Sequence, residues 1–235
     1  MEKCLTFLGR GSAFTDEQNS AFFTDGGELV LIDCPMSSFN KLRRLGADTL
    51  AGSENAAVTV IVTHTHGDHV GGVPMLIHYM YHVMKRKVTV IAPSGEVADD
   101  LRFLFDRLEG CSPDSYELLT PETAERAWLL GAVPTHHSPA LEGRCFGYRL
   151  RVYGKNVVYT GDSSSIDPFL PYLEPGTYLY SEVSLYDTPV HTVLPDLLAK
   201  TAGRDIRLFL MHLDDAEKTG EAIKGTGAEL APLLG

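Results

Sequence analysis

A chain of 235 residues with 44% apolar and 22% charged residues has the make-up of a folded globular protein, long enough to bury a full core, so disorder is set aside. Its formal net charge of −11 argues against a general binder of nucleic acid or anionic membrane, since both need clustered Lys and Arg. No window approaches the ~18 uninterrupted apolar residues of a membrane span, and the opening MEKCLTFLGR has no signal-peptide core.

The first third of the chain reads as strands at 3–9, 20–25 and 28–33, with DGG at 25–27 as a hairpin turn and the glycines of GRGS at 9–12 permitting tight turns. A helix is predicted over 36–45 and is broken by Gly46. VTVIVT at 58–63 is almost wholly apolar, as expected of a strand covered on both faces. From 68 to 84 the apolar residues Val70, Val73, Leu76, Ile77, Met80 and Met84 recur at helical spacing. A strand at 87–92 and a helix at 94–109, capped by Ser94, follow. The middle turns strand-rich again at 116–120, 126–135, 145–153 and 156–162, with YGKN as the turn between the last two. A strand at 177–182, a helix at 192–202, a strand at 206–212 and a helix at 214–224 complete the chain.

Hairpins and β-α-β units recur in two halves, which points to an α/β (α+β) layered sandwich of sheet on sheet with helices outside. With no linker, low-complexity tract or short-period repeat, the expected organisation is a single domain over 1–235. Cys4, Cys34, Cys111 and Cys145 are too scattered for a disulfide framework or zinc ribbon. They read as small core hydrophobes of a protein resident in a reducing cytoplasm.

The chemistry concentrates in THTHGDH at 63–69, which holds three of the nine histidines directly after an apolar strand. Zinc is held by converging imidazoles and carboxylates. In extended backbone His64 and His66 point the same way. Gly67 then allows a turn, so that Asp68 and His69 leave from the start of a helix. Ligands divided between a strand end and a helix start serve two metals better than one. Further ligand types close other apolar strands: His136 and His137 in VPTHHS, Asp162 in VVYTGDS, and His212 in LFLMHLDD.

THTHGDH (63–69), HHS (136–138), TGDS (160–163) and MH (211–212), in this order over almost the whole chain, resemble the metallo-β-lactamase superfamily. The resemblance implies a four-layer αββα sandwich. It implies one divalent ion held by His64, His66 and His137, and a second held by Asp68, His69 and His212, with Asp162 bridging. His136 competes for the third-histidine role; His137 is preferred because relatives commonly carry HS ahead of a stretch leading to GY, as HHSPALEGRCFGY does here. The His/Asp donor set suits zinc, and manganese or iron would also be tolerated.

LGRGSAFTDEQNSAFF…LVLIDCP further resembles the opening of ribonuclease Z and its short phosphodiesterase relatives. YSEVSLYDTPVHTVLPDLLAKTAGRDIRLFLMH resembles their pattern of a Glu, then a His before a helix, then the last metal histidine. The matching residues are Glu182 and His191. The implied chemistry is cleavage of a phosphodiester clamped by two metals that activate a water, with Asp68 orienting the nucleophile and His191, held by Glu182, protonating the leaving alkoxide. The chain departs from ribonuclease Z in two ways. No Gly/Pro- and Lys-rich insertion between Asp68 and Asp162 matches that enzyme's tRNA-clamping arm, and only eight residues separate Glu182 from His191. With the acidic charge, this favours a small substrate of cyclic nucleotide or cyclic phosphate type over a nucleic acid. The alternatives are tRNA 3′ processing and a thioester or lactam hydrolase of the same fold. No membrane partner is expected, and a homodimer stays open. His78 and His82, spaced i, i+4, and the row Tyr79, Met80, Tyr81 and Met84 read as helix surface and core, and the serines of DSSS (162–165) as a polar loop.

Overall fold

The computed structural model describes residues 3–235. One sheet takes its strands in sequence order: β1 (Thr6–Gly9), β2 (Ser20–Asp25), β3 (Glu28–Ile32), β4 (Val58–Ile61), β5 (Val88–Ile91) and β6 (Tyr116–Leu119). The first two pairings are antiparallel and the last three parallel. The β2–β3 hairpin closes as expected at Gly26 and Gly27, with φ of 55° and 87°, angles that suit glycine. Parallel neighbours need crossovers. Here these carry α1 (Met36–Leu45) with α2 (Ala47–Ala51), then α3 (Gly67–Val70) with α4 (Val73–His82), then α5 (Gly95–Arg102).

The second sheet repeats the plan with β7 (Leu129–Thr135), β8 (Cys145–Val152), β9 (Lys155–Tyr159), β10 (Thr177–Glu182), β11 (Ile206–Met211) and β12 (Glu229–Leu230). Again the first two pairings are antiparallel and the rest parallel. Its crossovers carry a 3-10 turn (Asp167–Tyr172), α6 (Leu194–Thr201) and α7 (Ala216–Ala222).

Side-chain alternation turns this order into four layers. In β10, Tyr178 and Tyr180 enter the layer between the sheets, while Leu179 meets Leu197 and Leu210 under α6. In β4, Ile61 joins the inter-sheet layer with Phe7, Phe23 and Phe209, whereas Val58 and Val60 meet Leu76, Ile77 and Met80 of α4. Each such buried side chain is worth about 1.5–3 kcal/mol. The arrangement is the αββα sandwich expected from the sequence. All four cysteines are buried and none is in a disulfide.

Several boundaries differ from the sequence expectations. The helix expected over 68–84 is two helices, α3 and α4. The chain breaks at Gly71 and Gly72, where it passes against Pro35: Gly72 N donates to Cys34 O at 2.9 Å, and a Cβ on Gly72 would sit 2.5 Å from Pro35 O. The helix expected over 94–109 is α-helical only to Arg102 and continues as a π turn, Phe103–Leu108. That wider turn keeps Phe105 buried against Tyr116, ring centroids 5.3 Å apart. Gly46 does end α1, but α2 starts immediately after it and was not expected. The strand expected at 126–135 begins only at Leu129. The two-residue β12 is too short to leave a periodic signal.

Candidate metal centre

Both sheets present the carboxyl ends of their parallel strands along one edge of the sandwich, the position where α/β sheets hold ligands. β3 leads into Asp33, β4 into 63–69, β7 into His137, β9 into Asp162, β10 ends on Glu182, and β11 delivers His212. His64, His69, His137, Asp162, Glu182 and His212 are buried there.

Among the described residues, five overlapping triads can each hold a metal ion; His191 belongs to two of them, with His137 and Asp162 and with Glu182 and His212. Two triads share no residue: His64, His66 and His137 form one, and Asp68, His69 and His212 the other. In the first, His66 Nδ1 lies 3.0 Å from His64 Nε2 and 3.3 Å from His137 Nε2. In the second, Asp68 Oδ2 lies 3.3 Å from both His69 Nε2 and His212 Nε2. Asp162 stands between them. Its Oδ2 is 3.9 Å from His64 Nε2, 3.6 Å from His137 Nε2 and 3.5 Å from His212 Nε2, and its Oδ1 is 3.5 Å from His69 Nε2. Two atoms each ~2.1 Å from one tetrahedral zinc lie roughly 3.4 Å apart, so these separations suit ions placed among them.

The donor chemistry points the same way. His69 Nε2 and Asp162 Oδ1 are buried with no hydrogen-bond partner, a costly condition unless something cationic serves both. Burial, reinforced by neighbouring imidazoles, lowers the pKa of His64 well below the usual range, and burial also lowers His66 and His137. The first group therefore offers unprotonated nitrogens, the form that ligates. In the second group burial opposes charge throughout but is outweighed. Asp162 and Asp33 raise His69, Asp162 and Asp68 raise His212, and hydrogen bonds from His212 and His69 lower Asp68. The carboxylates that hold protons on His69 and His212 would equally hold a divalent cation in their place, so both groups fit one.

Glu182 and His191 stand beside the cluster. Glu182 accepts from Ser163 N at 3.1 Å, Thr192 N at 2.8 Å and His191 Nδ1 at 3.1 Å. Burial raises the Glu182 carboxyl and opposes charge on His191, yet the hydrogen bond and charge of Glu182 lift His191 to about 9. With three donors satisfied by the carboxylate, the proton sits on His191. The His191 ring lies 4.9 Å from that of His137 and 5.4 Å from that of His212, between the two ligand groups.

His137 is in the cluster, its Nδ1 donating to Val190 O at 2.7 Å; its neighbour His136 is not. The His136 side chain is 76% exposed and pairs with Glu142 at 2.8 Å. Gly67 does not supply the turn assigned to it: it lacks positive φ, a Cβ there would meet nothing, and His66 already has the extended backbone that starts α3. Ser163 is a buried brace, holding Glu182 through its N–H and accepting Thr192 Oγ1 on its carbonyl at 2.8 Å. His78 bonds the carbonyl of Glu109 at 3.1 Å and stacks with His82, and neither joins a metal-capable group among the described residues.

Two residues escaped the sequence reading. Asp33, fully buried in left-handed backbone (φ 58°), accepts from His69 Nδ1, Thr63 N and Thr63 Oγ1, each at 2.8 Å. It thereby fixes His69 with Nε2 facing the cluster, as carboxylates behind metal histidines do. Asn19 accepts the backbone N–H of His212 at 3.3 Å and donates to Tyr159 OH at 2.7 Å, tying down a histidine that itself has φ 53°. The signal for Asp33 was present: a carboxylate ending the apolar strand LVLID, the pattern used to find Asp162 and His212. Asn19 gave none.

A family model described as anti-Pycsar protein Apyc1 matches residues 4–230. The anti-Pycsar protein Apyc1 of Bacillus phage 010DV004 is 27% identical, covering 90% of this chain and 89% of that protein. A ribonuclease Z of Natronomonas pharaonis is 32% identical but covers 54% of this chain and 46% of its own length. Among solved structures, the metallo-β-lactamase fold protein YhfI from Bacillus subtilis superposes with a TM-score of 0.74 at 20% identity, covering 98% of this chain and 95% of its own.

Proposed function

The chain belongs to the anti-Pycsar protein Apyc1 family and is a hydrolase of the metallo-β-lactamase fold, and from that premise we propose that it is a binuclear metal-dependent phosphodiesterase acting on a small phosphodiester of the cyclic nucleotide or cyclic phosphate type. The observation that carries this reading is the Glu182–His191 pair set between two ligand groups that share Asp162. A thioester expels a thiolate that leaves without a proton and so gives that pair no task, whereas a phosphodiester has an alkoxide leaving group that needs one.

In this reading His64, His66 and His137 hold one divalent ion, and Asp68, His69 and His212 a second, with Asp162 reaching both. Divalent ions held there, zinc or else manganese or iron, would supply positive charge for the phosphoryl oxygens and a lowered pKa for a water. Asp68 orients that water. Glu182 fixes the His191 ring through Nδ1, leaving Nε2 to protonate the departing oxygen. The two sheets with their helices act as one domain, in a reducing cytoplasm; no helix among the described residues is long and apolar enough to cross a membrane.

The test is hydrolysis of bis-p-nitrophenyl phosphate by metal-stripped and reconstituted protein, with precursor tRNA and a lactam and thioester panel alongside. Stripping should cut turnover by about a thousandfold or more, the several kcal/mol of charge stabilisation that metals supply, and two equivalents of zinc or manganese should restore it. Metal-independent turnover, or cleavage confined to tRNA, would remove the proposal.

A further inference from the structure

Two aromatic rings stand in solvent at the same edge of the sandwich as the ligand cluster, and the chemistry above uses neither. Phe14 is fully exposed, at 101% of its reference area, and Tyr186 is 60% exposed. Single exposed apolar residues are ordinary on a protein surface; what sets these two apart is their place on hydrogen-bonded turns at the edge that carries the ligand cluster. Phe14 lies in a closed turn: Thr15 donates to Ser12 O through N at 3.1 Å and Oγ1 at 2.8 Å, Gln18 Nε2 donates to Ala13 O at 3.0 Å, and Gly11 N to Glu17 O at 3.0 Å.

That turn is clamped to the segment following His212. Ser12 N donates to Leu213 O at 2.9 Å, and Leu213 N donates to Arg10 O at 2.8 Å. The Tyr186 loop reaches the same segment, since Tyr186 N donates to Ser184 Oγ at 3.0 Å and Ser184 Oγ to Asp214 Oδ2 at 2.8 Å. Two residues of chain span at most ~7 Å. Phe14 is therefore held within that distance of Ser12, which is itself bonded to the residue after His212. Beside the turn is a cavity of about 280 Å³ lined by Gly11, Thr15, Asp16, Leu213, Asp214 and Ala216 among others.

We infer that Phe14 is the platform on which the substrate's nucleobase stacks, with Tyr186 as a second ring on the neighbouring loop, so that this rim determines specificity for nucleotide diesters. The inference rests on the phosphodiesterase reading. Charge assigns the two ends of such a substrate. The anionic phosphate belongs at the cation-binding cluster. Asp16, Glu17 and Asp214 outnumber Arg10 around the cavity on the Phe14 side of the rim, which disfavours phosphate there but tolerates a neutral base and accepts hydrogen bonds from its N–H groups. Aromatic stacking is indifferent to which base is present. The same acidic rim on a second copy would repel its twin, which favours a small ligand over a dimer contact here.

The experiment compares thymidine 5′-p-nitrophenyl phosphate with methyl p-nitrophenyl phosphate, two diesters with the same leaving group, one with a base and one without. Phe14→Ala should lower the ratio of their kcat/KM values roughly five- to a hundredfold, the range seen when a stacking ring is removed. Tyr186→Ala should lower it less, and Phe14→Trp should restore it. An unchanged ratio, with the parent active on both diesters, overturns the inference and leaves the phosphodiesterase reading standing. So does conversion of a dimer to a monomer by Phe14→Ala on size exclusion, because Phe14 would then be an interface residue. A parent that cleaves neither diester removes both.

Discussion

At the floor of the site His64, His69, Asp162, Glu182 and His212 are buried, and Asp33 is buried behind them with three donors of its own. At the rim, on turns bonded to Leu213 and Asp214, Phe14 and Tyr186 stand in water. The floor is constrained because an unpaired buried polar group costs on the order of 1–3 kcal/mol, and the two left unpaired there, His69 Nε2 and Asp162 Oδ1, belong to the ligand cluster. The rim is free of that constraint and can carry whatever surface a substrate needs. A change at the floor should therefore harm every reaction the protein performs, and a change at the rim should separate one substrate from another.

The sharpest break in that contrast comes from Asp162, whose carboxylate lies within 3.9 Å of histidines from both ligand groups. Asp162→Ala should drop bound metal from two equivalents toward none and abolish diester hydrolysis, read by metal analysis and a turnover assay. His136→Ala, one residue from a proposed ligand but in solvent, should leave metal content at the parent value and turnover within about twofold, as surface changes usually do. His191→Ala comes next. It should slow hydrolysis of a cyclic nucleotide, which expels an alkoxide, by about a hundred- to ten-thousandfold, the usual contribution of general acid catalysis, and affect p-nitrophenyl diesters far less, while metal content stays at the parent value. Loss of metal instead would make His191 a ligand.

Asp33 should give a smaller effect by a different route. Asp33→Asn keeps the size but weakens its hold on His69, and losses behind a metal ligand typically cost 10- to 100-fold in metal affinity, roughly that range here, measured by competition with a chelator. The smallest contrast lies in two glycines. Gly161, with φ 59° and a Cβ position that collides with Phe146 O, should lose about 1–3 kcal/mol as Gly161→Ala. Gly67, helical and open, should be unharmed or gain up to ~1 kcal/mol as Gly67→Ala, because alanine is the better helix former. Chemical denaturation reads both, and a destabilised Gly67→Ala would restore to that glycine the turning role the backbone denies it.

The sequence by itself determined the layered fold and half of the candidate site. The reason is local: alternation and apolar runs mark strands covered on one or both faces, and His64, His66, Asp68 and His69 are close in space because they are close in the chain. His137, Asp162 and His212 were legible because each follows an apolar strand, and parallel strands bring such ends to one edge. Tertiary structure alone decided the rest. It separated His136 from His137, two like residues in sequence, by sending one to solvent and the other against Val190 O. It also brought Asp33 within 2.8 Å of His69 and Asn19 to the backbone of His212, 193 positions away. Contacts of that separation leave no periodic trace, because they are made by the packing of two sheets and not by the pitch of either. The split of the 68–84 helix had the same origin: only the folded chain sets Pro35 against Gly72, where no side chain fits.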